Sequence, residues 1–528
     1  MRFLSSGARR CAGIGALLAV CMGSALAAPP AAPTVTTSAD IKVLNFDWND
    51  VPGASNYEFW FRPSATGSFV RFSSPTASRA ANSISAHLLD WQGARYLVKA
   101  CNASGCTQSP QIAVGDLFND SLGYFKAGLS RTGAAFGVAT ALSEDGRTLA
   151  VVANGEPGTA PQFGSVAVYV FTKSGSTWRQ QARLVPNPSN LDNGETPSVT
   201  LSGDGNVLAL GLLADDQVGP SPTSQSGAAY VFRRNGTTWN QEKRVLRPAT
   251  AAFFGYIVKL DEAGSTLLVA DASFGGTGSI YRRENGAWPL ADSVPGPAGG
   301  TVCEALTLSG DGQTVTRVCR WPQGSDFRLE FFSAPDWIRS DDIQLTGYQP
   351  ETSFFQLAVS HDANVVIAAA SPRGPESTQL PQVEIRDRAR GFRDNLVPIW
   401  PCLDQWTSAY GTRIAISRDA RFVAVSDPAD KCTEQGSVAH ATHKGTVASG
   451  AVYVYGLSSA GTWPLRRTLK RNGNAALPAN FPFGGELALA NNGGTLAISQ
   501  PSDRGGANGI DGNRNSTSKP ASGAVWLY

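Results

Sequence analysis

A short motif recurs seven times along the chain and restricts its fold more than any other feature. In the first copy, residues 134–153, two apolar runs flank a Ser-Glu-Asp-Gly turn, a pattern typical of a β-hairpin. Self-similarity at a period of about fifty to sixty residues predicts a repeat architecture. The equivalent apolar anchors of the seven copies are Leu142, Leu201, Leu260, Leu308, Val359, Ile416 and Leu489.

A second module follows the hairpin in most copies. In the first copy it is the run Gly-Ser-Val-Ala-Val-Tyr-Val-Phe at 164–171, followed by another strand after Trp178. Each copy therefore predicts four antiparallel strands without a helix, which is typical of a propeller blade. The last copy stops at Tyr528 without an outer strand, and residues 122–128 are predicted to supply it. The predicted fold class is all-β: a seven-bladed β-propeller preceded by a small β-sandwich.

The openings of four copies resemble those of a known family. The four openings read Phe136-Gly137, Phe254-Gly255, Tyr410-Gly411 and Phe483-Gly484. In the later copies a Pro-containing turn comes after the second strand of the hairpin, at 370–372, 426–428 and 499–501. Together with the repeat, these motifs resemble FG-GAP repeats, the blades of integrin-α-type propellers and of similar arrays in secreted bacterial proteins. Copies two, four and five lack the aromatic-glycine pair. The resemblance covers residues 117–528 and implies a propeller used for extracellular recognition or adhesion.

The first part of the chain differs from the repeats. Residues 1–27 combine a positive end, an apolar stretch and an Ala-Leu-Ala cleavage site, so they are predicted to be a secretory signal peptide. A lipoprotein box around Cys21 is the alternative.

Residues 28–33 read as an Ala/Pro linker. Residues 34–115 alternate apolar and polar positions and resemble a fibronectin type III sandwich, with Trp48, Tyr57 and Tyr96 at typical places. No later apolar run reaches the ~20 residues of a membrane span. The predicted localisation is secreted, periplasmic or at the cell surface.

Six of the eight cysteines lie outside the predicted signal peptide. In an oxidising compartment they are expected to pair. One pair flanks a hairpin turn, a second faces across the hairpin of copy four, and the third is left by elimination. The predicted pairs are Cys101–Cys106, Cys303–Cys319 and Cys402–Cys432. The alternative is that some of them are free thiols.

Charge limits the classes of partner. Charged residues make up 16% of the chain, and the formal net charge of +2 includes Arg2, Arg9 and Arg10 of the predicted signal peptide. A mature chain this close to neutral argues against nucleic acid or an anionic membrane as partner.

The longest loops lie at 426–449 in copy six and 499–522 in copy seven, and loops of this length are typical of functional sites. Three polar residues in the second loop alternate like the first ligands of a calcium loop, so calcium is possible, although no cofactor is the main prediction. The Ser-x-Asp-Gly turns on the other side are predicted to be tight turns with little to hold a partner. The candidate ligand-contacting residues are Asp427, Asp430, His440, His443, Asp503, Asp511, Asn513 and Asn515.

No enzyme motif is present: the chain has four histidines and no Gly-x-Ser-x-Gly elbow. The sequence therefore favours a non-catalytic protein that binds an extracellular protein or glycan through the two long loops, or an envelope scaffold. The alternative is a carbohydrate-active enzyme, a glycoside hydrolase or lyase, that uses the central pocket of the propeller. Carboxylates clustered at the propeller axis would favour the enzyme.

Overall fold

The computed structural model describes residues 28–157, 164–187, 197–213, 215, 226–247, 253–271, 276–297, 301–321, 327–346, 348, 352–372, 381–398, 409–434, 436–439, 445, 448–471 and 483–528. The predicted signal peptide lies outside these residues. Within them nearly all regular structure is β-strand, apart from a 3₁₀ turn at Ala86–Leu88 and a short helix, α1, at Gly115–Asp120. Neither of these two helical segments has the length and apolar character needed to cross a membrane.

The N-terminal strands form two sheets that pack face to face. One sheet contains β1 (Val35–Asp40), β2 (Val43–Trp48) and β5 (Arg79–Ser83). The other contains β3 (Asn56–Arg62), β4 (Val70–Ser73), β6 (Arg95–Asn102), β7 (Gly105–Gln108) and β8 (Ile112–Ala113). Apolar and polar residues alternate along β2 and β3, so each strand buries one face. Phe46, Phe59 and Tyr96 meet between the sheets with ring centroids 4.6–5.4 Å apart.

Seven further antiparallel sheets follow in chain order. Sheet 1 contains β10 (Ala139–Leu142), β11 (Thr148–Pro157), β12 (Gly164–Ser174) and β13 (Thr177–Leu184). Sheet 2 contains β14 (Ser198–Leu201), β15 (Val207–Leu212), β16 (Ala228–Asn235) and β17 (Thr238–Leu246). Sheet 3 contains β18 (Ile257–Leu260), β19 (Thr266–Ala270), β20 (Gly278–Arg282) and β21 (Leu290–Val294). Sheet 4 contains β22 (Val302–Leu308), β23 (Thr314–Arg320), β24 (Phe327–Ser333) and β25 (Ile338–Leu345).

Sheet 5 contains β26 (Thr352–Val359), β27 (Val365–Pro372), β28 (Gln382–Asp387) and β29 (Phe392–Asn395). Sheet 6 contains β30 (Ile414–Ile416), β31 (Phe422–Asp427), β33 (Ala451–Gly456) and β34 (Leu465–Lys470), with β32 (Gly436–Val438) added to the outer edge of β34. Sheet 7 contains β35 (Leu487–Leu489), β36 (Leu496–Gln500), β37 (Ala524–Leu527) and β9 (Gly123–Phe125).

These sheets are arranged as the blades of a β-propeller. The first strand of each sheet contacts the first strand of the next, and β35 of sheet 7 contacts β10 of sheet 1. Second strands such as β15 are apolar and buried at every position, because a neighbouring sheet packs on each face. In sheet 7 the outer strand comes from the start of the repeats: β9 pairs with β37 through Phe125 and Val525, as the sequence predicted.

The aromatic-glycine openings link one sheet to the next. The Phe254 N–H donates to the Ser226 carbonyl at 3.1 Å, and Phe136 and Phe483 make the same kind of bond to Ser522 and Ser449 at 3.2 and 3.3 Å. Each bond joins the start of one sheet to the loop before the third strand of its neighbour. The motif is therefore a structural element of the ring.

Two of the predicted cysteine pairs are disulfides in the structure. Cys101–Cys106 closes the turn between β6 and β7, and Cys303–Cys319 joins opposite residues of β22 and β23. Cys432 is also disulfide-bonded, whereas its predicted partner Cys402 lies outside the described residues. These bonds indicate an oxidising environment.

The N-terminal sandwich packs against the outer strands of sheet 6 and against the turn between the first two strands of sheet 7. Lys42 Nζ donates to the carbonyls of Gly494 at 2.5 Å and Tyr528 at 2.8 Å, and His87 Nε2 lies 2.6 Å from the Gly493 carbonyl. Both side chains are buried there. Burial lowers the pKa of Lys42 to about 7 and that of His87 to about 3, because a charged form loses its hydration.

Candidate functional site

Each hairpin turn between a first and a second strand places one residue at the axis of the propeller. We call the face formed by these turns the turn face, and the opposite one the loop face. Successive turns are joined around the axis by backbone hydrogen bonds of 2.8–3.2 Å, for example from Glu144 to Gly203 and from Gly203 to Glu262. The residues at this position are Glu144, Gly203, Glu262, Gly310, His361, Arg418 and Asn491.

Four of these side chains form a charged group, which we call the axial cluster: Glu144, Glu262, His361 and Arg418. The Arg418 guanidinium bridges both carboxylates, with Nη1 3.2 Å from Glu144 Oε2 and Nη2 3.0 Å from Glu262 Oε2. His361 Nδ1 lies 2.7 Å from Glu262 Oε1. All four side chains are between 20% and 38% exposed, so the cluster is accessible from solvent.

Two glycines make room for the carboxylates. A Cβ on Gly203 would lie 2.8 Å from the Glu144 carboxyl carbon, and a Cβ on Gly310 would overlap a Glu262 carboxylate oxygen and approach His361 Nδ1 to 3.0 Å. Neither glycine has a positive φ. Glycine at these two positions therefore leaves space for the carboxylates of the cluster and is not required by the backbone conformation of the turn.

The surroundings raise the pKa of Glu144 to about 7. Partial burial is the largest cause, followed by a hydrogen bond with Glu262 and by the negative charge of that residue, while Arg418 and His361 act in the opposite direction. Two carboxyl groups this close cannot both ionise easily. The pair therefore retains a proton at neutral pH that can be donated and taken back.

Two cavities open beside the cluster. The first, of about 280 Å³, follows the axis and is lined by the first strands, with Leu308, Val359 and Ile416 among the apolar positions. The second, of about 530 Å³, lies between the turns of sheets 5 and 6 and is lined by hydrogen-bonding side chains. Both are lined by His361 and Arg418, which makes them adjoining parts of one site.

The axial cavity is also lined by a cation. Lys259, on β18, is half-buried there, and burial lowers the pKa of its amine despite the attraction of Glu486. Glu486 is itself paired with Arg413, at 2.5 Å between Oε1 and Nε. Burial raises the pKa of Glu486, and Arg413 partly offsets that effect. Glu486 and Arg413 thus form a second charged pair, separate from the axial cluster, and the charge of Glu486 acts on Lys259.

Three of the sequence-predicted ligand residues are buried rather than exposed on an open face: Asp427, Asp430 and Asp503. Asp430 accepts a hydrogen bond from Tyr453 Oη at 2.6 Å and forms an ion pair with Lys470. Asp503 has equivalent partners in sheet 7, where Tyr124 Oη and Lys126 Nζ lie 2.8 and 3.0 Å away.

The same arrangement recurs in sheet 2, where Asp215 is paired with Arg244 at 3.1 Å and accepts a hydrogen bond from Tyr230. Each aspartate also accepts, through its backbone carbonyl, the N–H of the glycine just before the third strand of its sheet: Gly227, Gly450 or Gly523. The aspartates therefore hold a loop against its sheet, and the expectation that they contact a ligand is corrected.

Of the other predicted ligand residues, the structure describes Asp511, Asn513 and Asn515 but not the two histidines. Asp511 Oδ1 accepts from the Tyr124 N–H at 2.9 Å and lies 3.3 Å from the Arg514 guanidinium, and Asn513 accepts from the Asn515 N–H at 2.9 Å. A guanidinium beside Asp511 is unfavourable for calcium. His440 and His443 lie outside the described residues.

Among the described residues, two groups of three side chains have the spacing of a metal site. They are Glu58 with Cys101 and Cys106, and Glu330 with Cys303 and Cys319. The cysteines of both groups are paired in disulfides, so neither offers thiolate ligands.

The axial cluster was not among the sequence predictions, although a signal for it exists. The Ser-x-Asp-Gly turns were expected to offer little, but the second residue of the turn between the first two strands lies at the axis in each sheet. Reading that one position down the repeats gives two Glu, two Gly, one His, one Arg and one Asn. The prediction of a non-catalytic protein with its working face on the long loops is therefore wrong: the loop aspartates are internal, and the clustered carboxylates lie at the axis on the turn face.

No family model and no curated protein matches the sequence. Solved structures resemble it weakly. Sqt1 from Saccharomyces cerevisiae is 13% identical with a TM-score of 0.40, covering 72% of this chain and 82% of its own. An oligogalacturonate lyase in complex with manganese is 10% identical with a TM-score of 0.40, covering 82% and 96%. A GH74 xyloglucanase from Xanthomonas campestris is 12% identical with a TM-score of 0.42, covering 71% and 53%. Two of these three are enzymes by name.

Proposed function

We propose that the protein is a carbohydrate-active enzyme, a glycoside hydrolase or a lyase, whose catalytic group is the axial cluster on the turn face. The observation that carries this proposal is the pair of glutamates, Glu144 and Glu262, bridged by Arg418 beside two adjoining cavities. Cleavage of a glycosidic bond requires one carboxyl group that donates a proton and a second group that acts as base or stabilises positive charge.

In this proposal, Glu144 donates the proton to the leaving oxygen, because its pKa of about 7 keeps it partly protonated at neutral pH. Glu262, held in place by Arg418 and His361, stabilises the positive charge that develops on the sugar. Water then adds to the anomeric carbon and gives its proton back to Glu144.

In elimination, by contrast, His361 would remove the proton from the carbon next to a uronate carboxylate, and Arg418 would neutralise that carboxylate. The C–O bond to the leaving sugar would break as a C=C double bond forms, and Glu144 would give its proton to the leaving oxygen. The 530 Å³ cavity combines apolar lining surface with the polar side chains of Asp362, Asn364 and Asp387, which can hydrogen-bond the hydroxyl groups of a sugar.

We further propose that the seven sheets are the seven blades of an FG-GAP-like propeller spanning 117–528. The two N-terminal sheets correspond to a fibronectin type III-like domain at 34–115, and residues 1–27 to a signal peptide that directs export. The partner on this proposal is a glycan outside the cytoplasm, with no nucleic acid and no membrane span involved.

The test is an activity screen with the purified protein on neutral and uronic-acid polysaccharides. New reducing ends report hydrolysis, and ultraviolet absorbance of an unsaturated product reports elimination. For a substrate that is cleaved, Glu144→Gln is expected to lower kcat by about 10²–10⁴-fold. Glu284→Gln, at an exposed position on sheet 3, is the matched control and should keep full activity. Full activity of Glu144→Gln, or no cleavage across the screen, would refute the proposal.

A further inference from the structure

A groove of about 750 Å³ lies between the N-terminal sandwich and sheet 6. The sandwich contributes Pro63, Ser64 and Leu88. Sheet 6 contributes the rest of the lining, from the start of β31, the end of β33 and the first half of β34. We call it the interdomain groove. It is separate from the two cavities at the axial cluster.

Three arginines line the groove: Arg421, Arg466 and Arg467. None of them forms an ion pair with a carboxylate among the residues that the structure describes. Arg467 Nη1 donates to the Arg466 carbonyl at 3.1 Å, but its Nε is buried and has no hydrogen-bond partner in the described part of the chain. Burial lowers the pKa of Arg467, and the charge of Asp90 partly opposes this.

The buried Arg467 nitrogen without a partner is costly, and the two exposed arginines, Arg421 and Arg466, add positive charge beside it, so the groove favours an anionic occupant. The remaining lining is apolar, with Leu88, Phe422, Leu457 and Leu465. Carboxylate or sulfate groups pair with arginine in charge-assisted hydrogen bonds, while the C–H faces of sugar rings pack on aliphatic and aromatic side chains. An acidic sugar chain offers both kinds of group.

The groove opens towards the turn face. The turn between β30 and β31 contributes Arg418 to the axial cluster, and Arg421, three residues later, lines the groove. Gly456 and Leu457 lie where β33 leads into the next turn on the same face. A chain bound in the groove can therefore pass over a single turn to reach the cavities at the axis.

We propose that the interdomain groove is an accessory binding site for an acidic oligosaccharide, held by Arg421, Arg466 and Arg467. The choice of a glycan rests on the proposed function, whereas the choice of an anion rests on the groove itself. The site retains a long chain while one of its linkages lies at the axial cluster. Short substrates do not reach it.

Binding is tested by calorimetry with the full chain carrying Glu144→Gln, so that no probe is consumed. The probes are a uronic-acid oligosaccharide of defined length, a neutral oligosaccharide of the same length and a poly-glutamate peptide. Arg421→Ala combined with Arg466→Ala is expected to weaken binding of the acidic oligosaccharide by at least about tenfold. Arg179→Ala, an exposed arginine on β13, is the control and should leave the affinity unchanged.

The proposal is overturned if the double variant binds the acidic oligosaccharide as tightly as the control, or if the neutral oligosaccharide binds equally well. Tighter binding of poly-glutamate than of the oligosaccharide would make the occupant an acidic peptide and refute the glycan. The outcome is independent of turnover. Arginine-dependent binding by a protein that cleaves no glycan would refute the proposed function and leave the accessory site standing.

Discussion

Glu144 and Glu262 belong to the turns of sheets 1 and 3, yet both contact the guanidinium of Arg418, at 3.2 and 3.0 Å. Arg418 comes from sheet 6, on the other side of the ring. The contact therefore joins three separate repeats at one point on the axis. The contact also affects how readily the two carboxyl groups bind a proton, because the Arg418 cation favours the ionised form of a carboxyl group next to it.

The first prediction concerns the pH dependence of cleavage. Because Glu144 has a pKa of about 7 and acts in its protonated form, kcat should fall as pH rises through that value. Arg418→Gln removes a cation that lowers this pKa, so the falling limb should move to higher pH. Profiles of kcat against pH provide the measurement. Arg147→Gln, on the turn of sheet 1, should leave the limb in place, and a shift to lower pH in Arg418→Gln would contradict the assignment.

The second prediction concerns the space beside Glu262. Gly310→Ala should displace the Glu262 carboxylate from His361, because the new Cβ would occupy its position. The backbone at Gly310 does not need glycine, so the thermal midpoint should change little while kcat falls by about tenfold or more. Gly236→Asn, in an open turn with positive φ, is the control. Unchanged kcat in Gly310→Ala would show that the position of Glu262 is unimportant.

The third prediction concerns acid stability. His87 has a pKa of about 3 in the folded protein and about 6.5 when exposed, so only the unfolded chain gains its proton between these values. Stability should therefore fall as pH drops below about 6.5, by about 2 kcal/mol at pH 5 from this residue. His87→Gln should remove that part of the loss. Urea unfolding of both proteins at pH 7 and pH 5 measures it, and an equal loss in the two would rule out His87 as the cause.

The fourth prediction concerns the ion pair in sheet 6. Asp430→Ala leaves Lys470 and Tyr453 without their acceptor in a buried site, which should cost about 3–5 kcal/mol of unfolding free energy. Asp120→Ala, at the exposed last residue of α1, should change it by less than about 0.5 kcal/mol. If the two variants unfold at the same urea concentration, Asp430 does not hold its loop.

The fifth prediction concerns the remaining cysteine pair. Peptide mapping of the unreduced protein should recover a peptide that joins Cys402 to Cys432, since Cys432 is bonded and the other two pairs are accounted for. Recovery of Cys402 as an alkylated free thiol would contradict this pairing.

The sequence predicted best the features that depend on residues close together in the chain. Apolar anchors such as Leu201 and Leu260 placed the innermost strands, and the register of copy four placed Cys303 opposite Cys319, because hairpin geometry depends on neighbouring residues. The buried role of Asp430 was missed, because its partner Lys470 lies on the outer strand, beyond a long loop. The axial cluster was missed for a related reason: its members lie in repeats one, three, five and six, and only closure of the ring brings them together.

The pairing of β9 with β37 has a consequence for the stage of folding at which the axial cluster can form. Phe125 and Val525 stand at opposite ends of the repeat array, so the last sheet lacks an edge until the final strand has been made. Contacts of such long sequence separation form late and slowly during folding. Because the axial cluster draws on sheets 1, 3, 5 and 6, its geometry depends on that late step. The rate at which activity returns during refolding would then report ring closure, and a nascent chain would lack the axial cluster until β37 has been made.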